Sequence, residues 1–304
     1  MALPARHIIH QGGVIASLGG TAIAALRQRL QGTSGKPLPE TPGPEIATTV
    51  QPLPADLIRD YIRHVGGDPG AYRGTVPPHL FPQWGFPLAA KTLRGLPYPL
   101  MRVLNGGCRL EVNSPLPMGE RLNVKVRLEE IDESDRRVVL HQRIATGTGN
   151  IDEAVVGHLY AIVPLGGGEK PDPKEKAKRA ARVPDGAREV TYWKIPDDAG
   201  LAFAMLTGDF NPVHWVRPYA RASGLRGKIL HGFATMARAI EGLNRKMWSG
   251  GSDHIRVFDC RFTRPLVLPA RVGLYVRGGE VYVGDAPGGP AYLTGTCETK
   301  GAKK

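Results

Sequence analysis

The sequence predicts an α+β fold built from two similar halves, and three observations carry the prediction. An apolar stripe at helical spacing, Ile229, Phe233, Met236, Ile240 and Leu243, is followed by short strands joined by Gly/Pro turns. Such turns are too short for parallel crossovers, so the strands should form an antiparallel meander against one helix. The same order of elements runs through the first half: "CRLEVNSPLPMGERLNVKVRL" from Cys108 matches "CRFTRPLVLPARVGLYV" from Cys260 in giving a strand, a Pro-Leu turn and an alternating strand. At 304 residues the chain also exceeds the roughly 100–200 residues of one ordinary domain.

Residues 1–45 read as an N-terminal helix and a Pro-rich leader. The apolar stretch 14–26 contains Gly19 and Gly20 and falls short of the ~20 residues a bilayer span needs, so a surface helix is expected and no membrane span. Pro37, Pro39, Pro42, Pro44, Pro52 and Pro54 exclude a helix or a central strand between 32 and 54. Residues 46–165 form the first repeat, with strands near 103–113, 121–130, 137–146 and 155–163. Its helix is damaged: Pro77, Pro78, Pro82 and Pro87 leave room for at most a couple of turns after Pro87. Phe81, Trp84 and Phe86 either line an apolar groove there or pack the core. Residues 166–185 are dense in charge after three glycines and read as a solvated linker. Residues 186–304 form the second repeat, with a helix over 228–247 and strands near 255–263, 271–277, 280–284 and 291–299.

Composition narrows the function. An apolar fraction of 41% and a charged fraction of 22% are those of a globular protein. The net charge of +12 favours anionic partners, yet zinc-type cysteine pairs and an aromatic-basic RNA signature are missing, which argues against nucleic acid. Three scattered cysteines make no disulfide framework and fit a reducing, cytoplasmic setting.

The chemistry concentrates in "LTGDFNPVHWVRPYARASGLRGKILHGFATMA", residues 206–237. Asp209, Asn211 and His214 fall in one loop held by Gly208 and Pro212. A carboxylate and an imidazole on one rigid turn can bind the same water, each donating or accepting by protonation state, and hydration of a C=C bond needs two such groups. The charge that develops on a neighbouring carbonyl needs a preorganised donor, which the N–H of Gly232 at a helix start offers; the glycine equally suits close helix packing. Singly, Asp209 and Asn211 also suit turn formation. Asp209, His214 and His231 could be metal ligands, but no further ligand has a recognisable spacing; a serine hydrolase is excluded for want of a G-x-S-x-G elbow. Arg217, Arg221, Arg226 and Lys228 flank the motif and could meet phosphates or an acidic protein face.

"TGDFNPVH", Ala222 eight residues on, and "ILHGFATMA" resemble the hydratase-2 signature of MaoC-like (R)-specific enoyl-CoA hydratases and 3-hydroxyacyl-thioester dehydratases. The resemblance implies a double hot-dog fold and Asp209 and His214 as the catalytic pair. It further implies that Asn211 supports substrate binding and that Gly232 N–H receives the thioester carbonyl. Coenzyme A or acyl-carrier-protein thioesters would be the substrates, with no metal or redox cofactor. The first repeat has Gly67-Asp68-Pro69 without the Asn-Pro-x-His that follows Asp209 in effect, so it should be silent and shape the acyl pocket through Phe81, Trp84 and Phe86. Arg221, Arg226 and Lys228 are the expected phosphate contacts. A monomer or a homodimer would suit such a chain; the rival functions are a hot-dog thioesterase and a non-catalytic acyl-thioester-binding subunit.

Overall fold

The computed structural model describes residues 3–12, 38–100, 103–166 and 180–301. The expected surface helix at 14–26 and most of the charged linker lie outside the described residues. The first half contributes β1 (Ile46–Val50), α1 (Ala55–His64), β2 (Thr75–Val76), α2 (Pro82–Thr92), β3 (Leu104–Val112), β4 (Leu116–Pro117), β5 (Leu122–Glu133), β6 (Arg137–Gly147) and β7 (Val155–Pro164). The second contributes β8 (Arg188–Ile195), α3 (Ala199–Thr207), α4 (Arg217–Ala222), α5 (Gly232–Met247), β9 (Ile255–Phe262), β10 (Ala270–Arg277), β11 (Glu280–Gly284) and β12 (Ala291–Thr299).

Ten strands make one antiparallel sheet in the order β1-β5-β6-β7-β3-β9-β12-β11-β10-β8. Read from its centre outward, the order is the same in both directions once β3 is matched with β9, β7 with β12, β6 with β11, β5 with β10 and β1 with β8. Cys108 and Cys260, equivalent in sequence, face each other directly in the β3–β9 register, as a twofold relation between the halves requires. Each half wraps a helix: α2 lies on β5 and β6, and α5 on β8, β9, β11 and β12. This is the double hot-dog that the motif implied.

Three expectations need correction. The first-half helix starts ahead of Pro87 rather than after it: α2 runs through Pro87 from Pro82 to Thr92. Pro82 sits in its first turn, where no N–H is required, and burial of Trp84, Leu88 and Ala89 offsets the main-chain bond that Pro87 removes. The second-half helix begins at Gly232 rather than near 228, because residues 228–230 pair as an extended segment: Leu230 N–H donates to Leu266 O and Leu268 N–H to Lys228 O. The linker ends earlier than 185, since Val183 is fully buried and its N–H donates to Gly289 O.

The halves also share a buried polar cluster. Tyr72 Oη donates to Glu241 of α5 at 2.5 Å, His79 Nε2 lies 3.1 Å from the same carboxylate, and Tyr61 Oη lies 3.0 Å from His79 Nδ1. His79 is thereby committed to structure. The N-terminal segment is likewise part of the fold: His7 and Gln11 are buried, and His7 Nε2 meets Asp60 of α1 at 2.8 Å.

Candidate active site

The site begins at the end of α3, an apolar helix of which all residues but Leu201 are buried. Gly208 closes it at φ 82°, a left-handed conformation that favours glycine, and turns the chain out of the core at Asp209. Asp209 Oδ1 accepts from Asn211 N–H at 3.3 Å, and Asn211 Oδ1 accepts from Val213 N–H at 3.3 Å. Both residues therefore build the turn, as short polar side chains do, while lining a cavity with His214. A 3-10 turn, Pro212–His214, then presents His214. Its Nδ1 lies 2.8 Å from Ile229 O; a carbonyl only accepts, so the proton is on Nδ1 and the Nε2 lone pair is free.

His231 lies behind this pair. It is buried, caps α5, and places Nε2 3.0 Å from Asp209 O and 3.8 Å from Asp209 Oδ2. Its ring stacks on His214 with centroids 3.5 Å apart and planes 22° from parallel. Ligating atoms of Asp209, His214 and His231 all fall within 4.8 Å of one another. One nitrogen of each ring already faces a carbonyl oxygen, which leaves His214 Nε2, His231 Nδ1 and the Asp209 carboxylate as the remaining ligating groups.

Gly232 is the first residue of α5, so its N–H has no acceptor within the helix. A Cβ there would sit 2.8 Å from the Phe262 ring. Close packing and an open N–H thus coexist at this position. Asp209, Asn211, His214 and Gly232 line one cavity of about 510 Å3 that continues into the first half along Phe86, Ala89, Ala90, Leu93, Leu159 and Ala161.

Of the three aromatics expected to face that space, only Phe86 does; it meets Phe233 edge to face at 5.0 Å. Phe81 is fully buried, and Trp84 donates from Nε1 to Thr146 Oγ1 at 3.0 Å inside the core. Among the expected phosphate contacts, Lys228 is held by Asp197 at 2.5 Å and is only 13% exposed; Arg217 shares that carboxylate at 2.9 Å. The two cations hold the Asp197 carboxyl below the ordinary carboxylate range, Lys228 first. Arg221 and Arg226 are exposed, and Arg264, which sequence reasoning passed over, lines the cavity.

Sequence reasoning also missed Gln11. Its Nε2 donates to Leu206 O at 3.1 Å, one turn before the Asp209 loop, while its Oε1 accepts from Gln83 of α2 at 3.4 Å. A single side chain in the N-terminal segment therefore ties the loop-bearing helix to the wall of the cavity.

Burial pushes the site's imidazoles toward the neutral form. Desolvation lowers His214, and Asp209 and the Ile229 carbonyl partly offset it. His231 lies well below its usual value, by burial first and then by the neighbouring His214. His64 is lowered to about 3, by burial and then by the Arg238 guanidinium. The unfolded chain protonates these groups below about pH 6.5 whereas the folded chain does not. Stability is thus present above the unfolded value and lost as pH falls toward the folded one, by about 1.4 kcal/mol per pH unit for each such histidine. Urea midpoints should fall between pH 7 and pH 5; an unchanged midpoint would contradict this burial of neutral imidazoles.

Residues 173–286 match the family model of the MaoC like domain. The chain is 26% identical over 270 residues to 3-hydroxyacyl-thioester dehydratase X of Mycobacterium tuberculosis, covering 86% of this chain and 91% of that protein. The crystal structure of HtdX from Mycobacterium tuberculosis superposes with a TM-score of 0.66 at 20% identity over 84% of this chain and 100% of that one. A Mycobacterium tuberculosis protein with a double hot-dog fold superposes at 0.54, with 13% identity over 86% and 97% of the two chains.

Proposed function

Since the chain belongs to the MaoC-like dehydratase family, we propose that it interconverts trans-2-enoyl and (3R)-3-hydroxyacyl thioesters in fatty-acid metabolism. The observation that carries this reading is the placement of Asp209 and His214, with ligating atoms within 4.8 Å, beside the start of α5 on an apolar cavity. Two groups that each hydrogen-bond one water at about 2.8 Å can stand up to about 5.6 Å apart, so this pair can share a single water.

In the hydration direction the thioester carbonyl accepts from Gly232 N–H, where the positive end of the helix favours the charge that develops on oxygen. Water gives its hydroxyl to C3, and C2 gains a proton. One member of the Asp209–His214 pair takes the water proton while the other delivers a proton to C2, and the reverse steps expel water. His214 enters with Nδ1–H fixed on Ile229 O and Nε2 available for that exchange.

The acyl chain extends along α2 and β7 into the first half. That half has its own Gly67-Asp68 turn, in which Asp68 Oδ1 accepts from Gly70 N–H at 2.9 Å as Asp209 does from Asn211, but no histidine follows at the spacing of His214 and His79 is bound in the buried cluster. One active site per chain follows. The carrier is coenzyme A or an acyl-carrier protein, with Arg221 and Arg226, exposed just after the motif, and Arg264, exposed on the cavity lining, as the cations that meet it. The compartment is the cytoplasm, a reading supported by three free cysteines; among the described residues no helix is long and apolar enough to cross a membrane.

Chiral analysis of the product from trans-2-enoyl-CoA tests the reading: (3R)-3-hydroxyacyl-CoA is expected, and a (3S) product or none would overturn it. Ala90→Phe should lower kcat/KM for long enoyl chains relative to short ones by about 10-fold or more, as filling a hydrophobic pocket does. An equal effect at every chain length would place the acyl chain elsewhere.

A further inference from the structure

His231 is buried beside the site, yet hydration as derived above gives it no step. Three of its contacts are unusual together. Nε2 sits 3.0 Å from the main-chain oxygen of Asp209. The ring lies face to face on His214 at 3.5 Å. Nδ1 is buried without a hydrogen-bond partner among the described residues.

These contacts fix the chemical state of the ring. The Asp209 carbonyl accepts only, so Nε2 carries the hydrogen and Nδ1 is the bare nitrogen in the neutral form. Protonating Nδ1 would bury an N–H with no acceptor and put a positive charge against the His214 ring. The surroundings offer little to support that charge. α3 presents Phe203 at 4.8 Å, the catalytic loop presents Asp209, and the 3-10 turn presents His214. From α1, His64 faces the same space, with Arg238 of α5 behind it. Among the described residues facing the ring only Asp209 is acidic, and its nearer carboxylate oxygen is 3.8 Å from Nε2, on the side that already holds the hydrogen.

We propose that His231 is a positioning residue for the Asp209–His214 pair. Neutral, with its hydrogen on Nε2, it anchors the Asp209 main chain and backs the His214 ring, which sets the spacing at which the two groups share one water. The proposal rests on the reading of this site as a hydratase. It accounts for a histidine at the cap of α5, where serine, threonine, aspartate or asparagine is the usual choice. Those side chains would satisfy the helix but would reach neither the Asp209 carbonyl nor the His214 face.

Two variants separate the contacts. His231→Gln keeps an N–H donor near the position of Nε2 and loses the ring; His231→Phe keeps a flat ring and loses the donor. With Asp209 released, kcat of His231→Phe should fall about 100-fold with KM within a few-fold, the cost of a misplaced catalytic group. His231→Gln should stay within about 10-fold of wild type, because the donor that holds Asp209 is retained. Nitrogen NMR of histidine-labelled protein, assigned with the same variants, should show Nε2 protonated and Nδ1 bare throughout the active pH range. Wild-type kcat in His231→Phe, equal losses in both variants, or an imidazolium or Nδ1–H form at active pH would each overturn the proposal. If His231→Phe does not fold, His231→Gln and the tautomer decide the matter. A wild-type chain that hydrates no enoyl thioester would instead overturn the hydratase reading, which the tautomer measurement does not depend on.

Discussion

Asp209→Asn and His214→Asn should each lower kcat for enoyl-thioester hydration by about 100- to 10,000-fold, the range of a lost general acid or base. Both substitutions are chosen to leave the turn intact. Asparagine at 209 keeps an Oδ1 to accept from Asn211 N–H, the bond that the aspartate makes at 3.3 Å. Asparagine at 214 keeps an N–H near the position of Nδ1, which meets Ile229 O at 2.8 Å, and loses only the group at Nε2. KM should change little, since neither group holds the acyl chain. With both acting on one water, as proposed, the double variant should be scarcely slower than the slower single one. Absorbance of the enoyl thioester followed under single-turnover conditions checks this. Near-native turnover in either variant would remove that residue from the chemistry.

The second large effect is expected at Gly232. Gly232→Ala places a Cβ 2.8 Å from the Phe262 ring, at the point where the thioester carbonyl is to meet the helix N-terminus. Either the aromatic or the helix start must move, and a displaced oxyanion donor costs about 100- to 1,000-fold in kcat. The same overlap should cost stability by about 1–3 kcal/mol, as overpacking does. Adding Phe262→Leu relieves the overlap and should recover both activity and stability in part. Recovery of stability alone would mean that the carbonyl binds elsewhere; full activity in Gly232→Ala would mean that this N–H is not used.

The fold was legible where local pattern and global structure agree. The 3.6-residue stripe of α5 and the alternating strands were read to within a few residues, and the Cys108–Cys260 match located the pair of strands that meet at the centre of the sheet. β1 and β8 leave little sequence signal because both are sheet edges: β1, half-buried only at its ends, lacks strong alternation, and nearby prolines suit an edge but read as a breaker. α2 is hard to read from sequence because Pro87 is a local cost, while the burial that offsets it comes from strands distant in sequence.

At the site, sequence spacing brought out the groups on one turn and one helix start, since those positions are set locally. Asp209, Asn211, His214 and Gly232 all meet on the cavity. Contacts made across the chain left no such trace. Gln11 reaches the end of α3 over 195 positions, and His231 meets His214 only because the segment between them folds back. Phe81, Trp84 and Phe86 are close in sequence, yet a helix turns successive residues to different faces, so Phe86 reaches the cavity and the others the core. Lys228 looked available for phosphate until Asp197, 31 residues away, supplied its partner.

A single cuvette distinguishes hydration at Asp209 and His214 from thioester hydrolysis. Wild-type protein is mixed with a trans-2-enoyl-CoA in the presence of a thiol reagent, and the enoyl absorbance and free thiol are recorded together beside Asp209→Asn. Loss of enoyl absorbance without thiol release, abolished in the variant, is the result that hydration at Asp209 and His214 predicts. Thiol release at the rate of substrate loss, or equal rates in the two proteins, would contradict it.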